Sequence, residues 1–224
     1  MVKLVFLCRR RPDVSHERYV ELLLEGHVPL ALRHHPTLRR YVVNVVETTR
    51  GPAPPLDSIG ELWFDSLADW RERLYDSPEG ERTIARDVAG FLGGADAYVT
   101  TEHVQRAPAA VPPTGVRTPG DKLFACLVRV PGRTRGEFAA HWLDRHAPLA
   151  LRHHDTTRYV TNVVDAQPGG GVEYDGFAEL SFPPGHMQGR LYRSPGGQAE
   201  IETDIPRFIG TVHAYVVSEY VERW

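Results

Sequence analysis

Glu25-Gly-His-Val-Pro-Leu-Ala-Leu-Arg-His-His35 returns in the second half of the chain as Asp144-Arg-His-Ala-Pro-Leu-Ala-Leu-Arg-His-His154. The echo runs on through Asn44-Val-Val-Glu47 and Asn162-Val-Val-Asp165, Glu61-Leu62 and Glu179-Leu180, Leu74-Tyr-Asp-Ser-Pro78 and Leu191-Tyr-Arg-Ser-Pro195, and Ala97-Tyr-Val99 and Ala214-Tyr-Val216. The offset is 119 residues at the opening stretch and slips to 118 and then 117 downstream, as insertions confined to loops would make it. A period this long marks two tandem units, because solenoid repeats run to roughly 20–50 residues.

The segment from Gln105 to Asp121, with Pro108, Pro112, Pro113 and Pro119, reads as an extended, semi-rigid tether. It divides the chain into a first unit at 1–105, a linker at 106–121 and a second unit at 122–224. In the first unit Lys3 to Cys8 is a short apolar strand. Ser15 caps a helix that buries Tyr19, Leu22 and Leu23, as Thr134 caps its copy. Gly26 and Pro29 interrupt that helix, since proline lacks an amide donor, and a second helical stretch follows to about His35.

Arg40 to Glu47 and Ile59 to Phe64 alternate as a hairpin. A helical region runs from Leu67 to Tyr75 and past Pro78 towards Phe91, and Ala95 to Val104 closes the unit. The order βαββαβ is that of a ferredoxin-like α+β unit with helices on one sheet face. The bare face needs a cover, and the matching face of the second copy supplies it, so the two units are expected to enclose a barrel-like interior. The copies differ where Asp65-Ser-Leu-Ala-Asp-Trp70 is replaced by Pro183-Pro-Gly-His186, and in their hairpin loops, so two unequal cavities are expected.

With 224 residues, 42% apolar and 25% charged, and a net charge of −3, the composition is that of a soluble globular protein. Arginines and acids are interleaved, which leaves no basic stripe for a nucleic acid. The apolar start from Val2 to Cys8 is too short for a signal segment, and no apolar stretch approaches the roughly 20 residues of a membrane span. A cytoplasmic protein with no membrane partner is expected. Cys8 and Cys126 fall one position apart in the aligned halves, so they face opposite sides of equivalent strands and read as core thiols. There is no Gly-rich phosphate loop, Gly-x-Ser-x-Gly elbow or Cys-x-x-Cys pair.

The recurring polar residues are the candidate site. Glu61 and Glu179 sit on the strand face opposite the small-to-large apolar set, hence towards the barrel interior, where a carboxyl must raise its pKa or find a partner. Each is either a structural carboxylate or a catalytic one. His27 and His146 precede the helix-breaking proline, where an imidazole either serves as acid or base near neutral pH or satisfies a backbone carbonyl freed at the kink. The doublets His34-His35 and His153-His154 lack the i+3 or i+4 carboxylate or cysteine that would complete a metal site, so no metal is expected; they either compensate the dipole at a helix C-terminus or, through His34 and His153, line a pocket mouth. Asn44, Asn162, Tyr98 and Tyr215 are amide and phenol donors for a substrate oxygen, or else cross-strand and core groups. Trp63, Val5 and Phe124 would shape an apolar wall.

The paired His-x-Pro-Leu kinks (His27 to Leu30, His146 to Leu149), the apolar first strand and the Tyr-Val-x-x-Glu endings (Tyr98 to Glu102, Tyr215 to Glu219) resemble the EthD family over nearly the whole of both halves. The resemblance implies the dimeric α+β barrel superfamily, with the usual pair of chains built here into one as a pseudo-dimer that is free to associate further. It also implies chemistry on polyketide-like or aromatic molecules: dehydratases and cyclases within the family, and cofactor-free or haem-binding oxygenases among related barrels. The leading expectation is a lyase or cyclase of specialised metabolism that needs no cofactor, with His27 or His146 as base or acid, Glu61 or Glu179 as its partner, and a hydrophobic or aromatic small molecule as substrate. A monooxygenase and a non-catalytic ligand-binding protein are the alternatives.

Overall fold

The computed structural model describes residues 1–168, 171–188 and 191–224; Gly169 and Gly170 of the second hairpin loop lie outside the described residues. The first half runs β1 (Val2–Arg10), α1 (His16–Glu21), a π-helical turn (Leu22–His27), α2 (Val28–His34), β2 (Leu38–Arg50), β3 (Ser58–Phe64), α3 (Leu67–Glu72), α4 (Pro78–Ala89) and β4 (Leu92–Arg106). The second half runs β5 (Asp121–Arg129), α5 (Arg135–His141), a π-helical turn (Trp142–His146), α6 (Ala147–His153), β6 (Arg158–Ala166), β7 (Gly176–Phe182), a 3₁₀ turn (His186–Gln188), α7 (Pro195–Asp204), a 3₁₀ turn (Ile205–Arg207) and β8 (Ile209–Arg223). Each half therefore repeats β, α, β, β, α, β. The 3₁₀ turn stands where Pro183-Pro-Gly-His186 replaces the sequence that makes α3.

The strands close into one barrel in the order β1-β3-β2-β8-β5-β7-β6-β4. The seams between halves are antiparallel ladders, β2 with β8 and β4 with β6. The two sheets are thus hydrogen-bonded edge to edge at both seams while their inner faces pack against each other, so no strand of the barrel is left as an open sheet edge among the described residues. The order repeats after four antiparallel strands, so the approximate twofold relating the halves lies along the barrel axis.

The linker is not a free tether. β5 follows β8 only as far as the pair Lys122 and Val217. Beyond that point the linker takes the vacant edge: Thr118 N–H donates to Glu219 O at 2.7 Å and Gly115 N–H to Val221 O at 2.8 Å.

Ser15 and Thr134 cap α1 and α5 as expected, Thr134 through a capping box with Glu137. The prolines do not break the first helix of either half. One wide turn absorbs them, with Val28 N–H donating to Leu23 O and Ala147 N–H to Trp142 O, a five-residue spacing that re-phases the ladder around Pro29 and Pro148. The region from Leu67 towards Phe91 is two helices, because Ser77 caps α4 at Gly80 with Pro78 in its first turn.

Side-chain alternation separates two environments. Val5, Leu7, Ile59, Phe124, Cys126 and Phe177 form an apolar core inside the barrel, while Leu4 and Phe64 pack under the helices of the first half. Cys126 is a core thiol; Cys8, on the other face, lines a cavity. Among the described residues, no helix is long and apolar enough to cross a membrane.

Candidate functional site

The π turn carries His27 to the underside of α4. Its Nδ1 lies 2.8 Å from Asp87 Oδ2, and its side chain stays 15% exposed. With the carboxylate accepting from Nδ1–H, the imidazole keeps Nε2 as a free acceptor. The second half repeats the pair: Asp204 receives His146 Nδ1 at 2.9 Å and also His141 Nε2 at 3.0 Å. The first-half counterpart of His141 is Leu22. Burial, partly offset by Asp204, lowers the pKa of His146. Neither kink histidine is spent on a backbone carbonyl.

His27 lines a cavity of about 230 Å³ between the helices and the outer face of the first-half strands. Phe6, Tyr19, Trp70 and Phe91 make it aromatic, and Tyr41, His35, Ser58 and Cys8 bring its polar groups. The Ser58 hydroxyl is engaged with that of Tyr19 at 2.7 Å, and burial raises the Cys8 thiol to about 11 and so keeps it protonated. His35 donates Nδ1–H to Leu74 O at 3.1 Å, and burial lowers its pKa to about 4, so it is neutral at pH 7. The Tyr41 hydroxyl has no partner among the described residues, and burial raises its pKa.

The equivalent space in the second half is filled. Trp142 stands where the first half has Leu23, and its indole N–H donates to the hydroxyl of Tyr159, the counterpart of Tyr41, at 3.2 Å. Trp142 and Tyr159 are buried at 1% and 2% exposure. The cavities are unequal, as expected, but the open one lies beneath the helices and not inside the barrel.

Glu61 and Glu179 do face the barrel interior, on the other side of the sheet from His27. They belong to an ionic network at one end of the barrel, so the expectation of one chamber shared by histidine and glutamate is corrected: one residue of register changes the face. Lys3 Nζ lies 2.5 Å from Glu61, 2.7 Å from Glu179 and 3.0 Å from Glu102. Its counterpart Lys122 meets Glu61 at 3.1 Å, Glu179 at 2.8 Å and Glu219 at 2.7 Å. Arg158 bridges Glu179 at 3.0 Å and Glu219 at 2.7 Å. Burial and the neighbouring Glu179 raise the pKa of Glu61, and Lys122 and Lys3 offset part of that rise. Burial would raise Glu179 too, but Lys122, Lys3 and Arg158 outweigh it and hold Glu179 well below the usual range. Three cations, Lys3, Lys122 and Arg158, thus share the four carboxyl groups of Glu61, Glu102, Glu179 and Glu219.

Asn44 donates to Ile59 O at 3.1 Å and Glu61 at 2.7 Å, and Asn162 to Phe177 O at 3.1 Å and Glu179 at 2.9 Å. Both amides orient the glutamates and lie away from the cavity. Tyr98 donates to Val172 O at 2.7 Å and Tyr215 to Pro54 O at 2.8 Å, so each clamps the hairpin loop of the opposite half. Val5 and Phe124 pack in the barrel core, and the strand-one residues on the cavity wall are Phe6 and Cys8. Trp63 lines the barrel mouth, with Lys3 Nζ 4.5 Å from its ring centre. His34 and His153 turn outward to Asp76 and Glu200, at 3.1 and 2.9 Å; His35, the second member of the doublet, reaches the cavity.

Sequence reasoning missed Asp87 and Asp204, Tyr41 and Tyr159, and Lys3 and Lys122. Each pair recurs in register, as in Asp87-Val88 with Phe91 against Asp204-Ile205 with Phe208, and that recurrence was the available signal. Among the described residues, the one acidic group compact enough for a metal is Glu61, Glu179 and Glu219, with oxygens within 4.8 Å of one another. The ammonium groups of Lys3 and Lys122 and the Arg158 guanidinium already supply the positive charge a cation would bring there.

The fold is similar to that of an anthrone oxidase-like protein, with a TM-score of 0.64 at 9% identity over 99% of this chain and 92% of that one. A candidate monooxygenase from Fusobacterium nucleatum subsp. nucleatum gives 0.60 at 7% identity, over 99% and 92%. Another from Lactobacillus acidophilus gives 0.54 at 8%, over 99% and 96%. No curated protein matches the chain in sequence. The EthD domain matches it twice, over residues 11–95 and 130–211. The chain therefore belongs to the EthD domain family, with one copy in each half.

Proposed function

We propose that the protein is a small-molecule enzyme that removes a proton from an aromatic or polyketide-like substrate held in the first-half cavity. The observation that carries this reading is the His27–Asp87 pair beside an apolar cavity containing the unpartnered hydroxyl of Tyr41. We read each half as a ferredoxin-like unit, of which the first kept its cavity and the second filled it. The volume suits a small aromatic molecule and falls below the roughly 300–1,000 Å³ of drug-sized sites.

In this reading His27 Nε2 takes a proton from the carbon next to a substrate carbonyl, and Asp87 stabilises the imidazolium through Nδ1–H. The electron pair moves onto the carbonyl oxygen, where the Tyr41 hydroxyl donates to it. In a dehydration, the β-carbon–oxygen bond then breaks and the His27 proton leaves with the hydroxyl as water. Neutral His35 keeps an acceptor nitrogen for a substrate hydroxyl. Cyclisation uses the same first step, with the enolate carbon attacking a second carbonyl.

Hydrogen–deuterium exchange at the acidic CH₂ of 2-tetralone, followed by NMR in D₂O, tests this step apart from its sequel. Acceleration by the wild type and its loss in His27→Asn is the expected outcome; equal acceleration by both removes His27 from the reaction. Oxygen uptake with an electron-rich phenol would assign the proton transfer to an oxygenation.

A further inference from the structure

We propose that the ionic end of the barrel is a second ligand site, independent of the His27 cavity, that takes a small monocarboxylate with an apolar body. A cavity of about 140 Å³ opens there, lined by Arg40, Arg158, Trp63 and Trp224 together with Val42 and Val160. Two residues that line it, 5% and 7% exposed, each carry a buried donor with no partner among the described residues: the Trp63 indole N–H and the Arg158 Nε–H. Two orphaned donors bordering one cavity call for an acceptor, because a buried N–H left unmade costs its full desolvation.

The charge of the site specifies that acceptor further. Inside the network Lys3, Lys122 and Arg158 are each ion-paired with buried carboxyl groups. Glu102, the carboxylate nearest solvent, is matched by Lys3 at 3.0 Å. Arg40 is the cation left over: it makes no ion pair among the described residues and lies against the Trp224 ring at 5.0 Å. A single unpaired guanidinium at the cavity favours an anion of one charge over a dianion such as phosphate. A planar carboxylate matches guanidinium N–H groups, and the valines and indoles receive an apolar body.

Benzoate is the probe, with benzyl alcohol as its uncharged counterpart. The four tryptophans report on location: Trp63 and Trp224 line the barrel mouth, Trp70 lines the His27 cavity, and Trp142 fills the second half. In NMR titrations, with signals assigned through Trp→Phe variants, benzoate should shift the indole N–H resonances of Trp63 and Trp224 and leave Trp70 in place. Arg40→Met, at a half-buried position, should weaken benzoate at least tenfold, and benzyl alcohol should bind at least tenfold more weakly than benzoate. Equal affinity for both probes, unchanged affinity in Arg40→Met, or no shift at Trp63 overturns the proposal. A shift confined to Trp70 also overturns it while leaving the proposed function intact. Failure of His27-dependent exchange, conversely, does not touch this site.

Discussion

Gly176 lies so close beneath the indole of Trp142 that a Cβ built on it would collide with the ring, and Ser58 is its counterpart in the first half. Trp142 fills its half because Gly176 makes room, and Leu23 over Ser58 leaves the other half open. Leu23→Trp combined with Ser58→Gly should therefore abolish 2-tetralone binding, measured calorimetrically, while the far-ultraviolet circular dichroism stays unchanged. Trp142→Leu should lose the bond to Tyr159 and leave a void, costing about 2–4 kcal/mol. At roughly 2–4 °C per kcal/mol for a chain this size, the melting temperature should drop by several degrees or more.

Glu61 and Glu179 occupy equivalent positions, yet their pKa values move in opposite directions. Glu61→Gln removes the carboxyl group whose ionisation burial already disfavours, so it should cost less in urea unfolding than Glu179→Gln. Glu179→Gln strips the shared carboxylate from Lys3, Lys122 and Arg158 and leaves buried cations without a counter-charge, a loss of about 3–5 kcal/mol. Equal losses from the two variants would show that the two glutamates share charge evenly.

Repetition made the architecture legible. The in-register copies set the element order, and the alternation Ile59, Glu61, Trp63 placed Glu61 inside the barrel. The site was harder to read because its members come from different elements. His27 stands on the π turn and Asp87 on α4, 60 residues apart, and only packing shows that they meet. The sequence also cannot show that Pro29 is absorbed by a wide turn: proline's missing donor is visible in the residue type, whereas the re-phased ladder depends on what Leu23 O meets. Lys3 and Lys122 read as ordinary strand-end charges until the barrel closes around them.

Stability should fall on acidification before any carboxylate network breaks. Burial lowers His35 to about 4 and also lowers His146 and His154, whereas the unfolded chain takes up these protons near 6.5. Stability from these groups is present above about pH 6.5 and is lost as the pH falls towards about 4. His35 alone accounts for on the order of 3 kcal/mol. Glu61 acts in the opposite sense, since its raised pKa favours the folded state at low pH and that contribution fades as the pH rises. Urea midpoints at pH 7.5 and 5 should differ in the wild type, and His35→Gln, which keeps a donor for Leu74 O but does not titrate, should narrow the gap.

The two aspartates beneath the kink histidines should separate catalysis from stability. In Asp87→Asn the side-chain amide can donate to His27 Nδ1, which favours the tautomer with the proton on Nε2, where the base is needed. The rate of 2-tetralone exchange should then fall by about 10²–10⁴-fold, as expected when a positioned base is lost, with little change in substrate affinity. Asp204→Asn alters a pair that faces no equivalent open space, since Trp142 occupies it. That variant should keep the wild-type exchange rate and show its effect in the unfolding midpoint, because Asp204 holds both His141 and His146. A fall in exchange rate in Asp204→Asn matching that in Asp87→Asn would mean that both halves take part in the proton transfer.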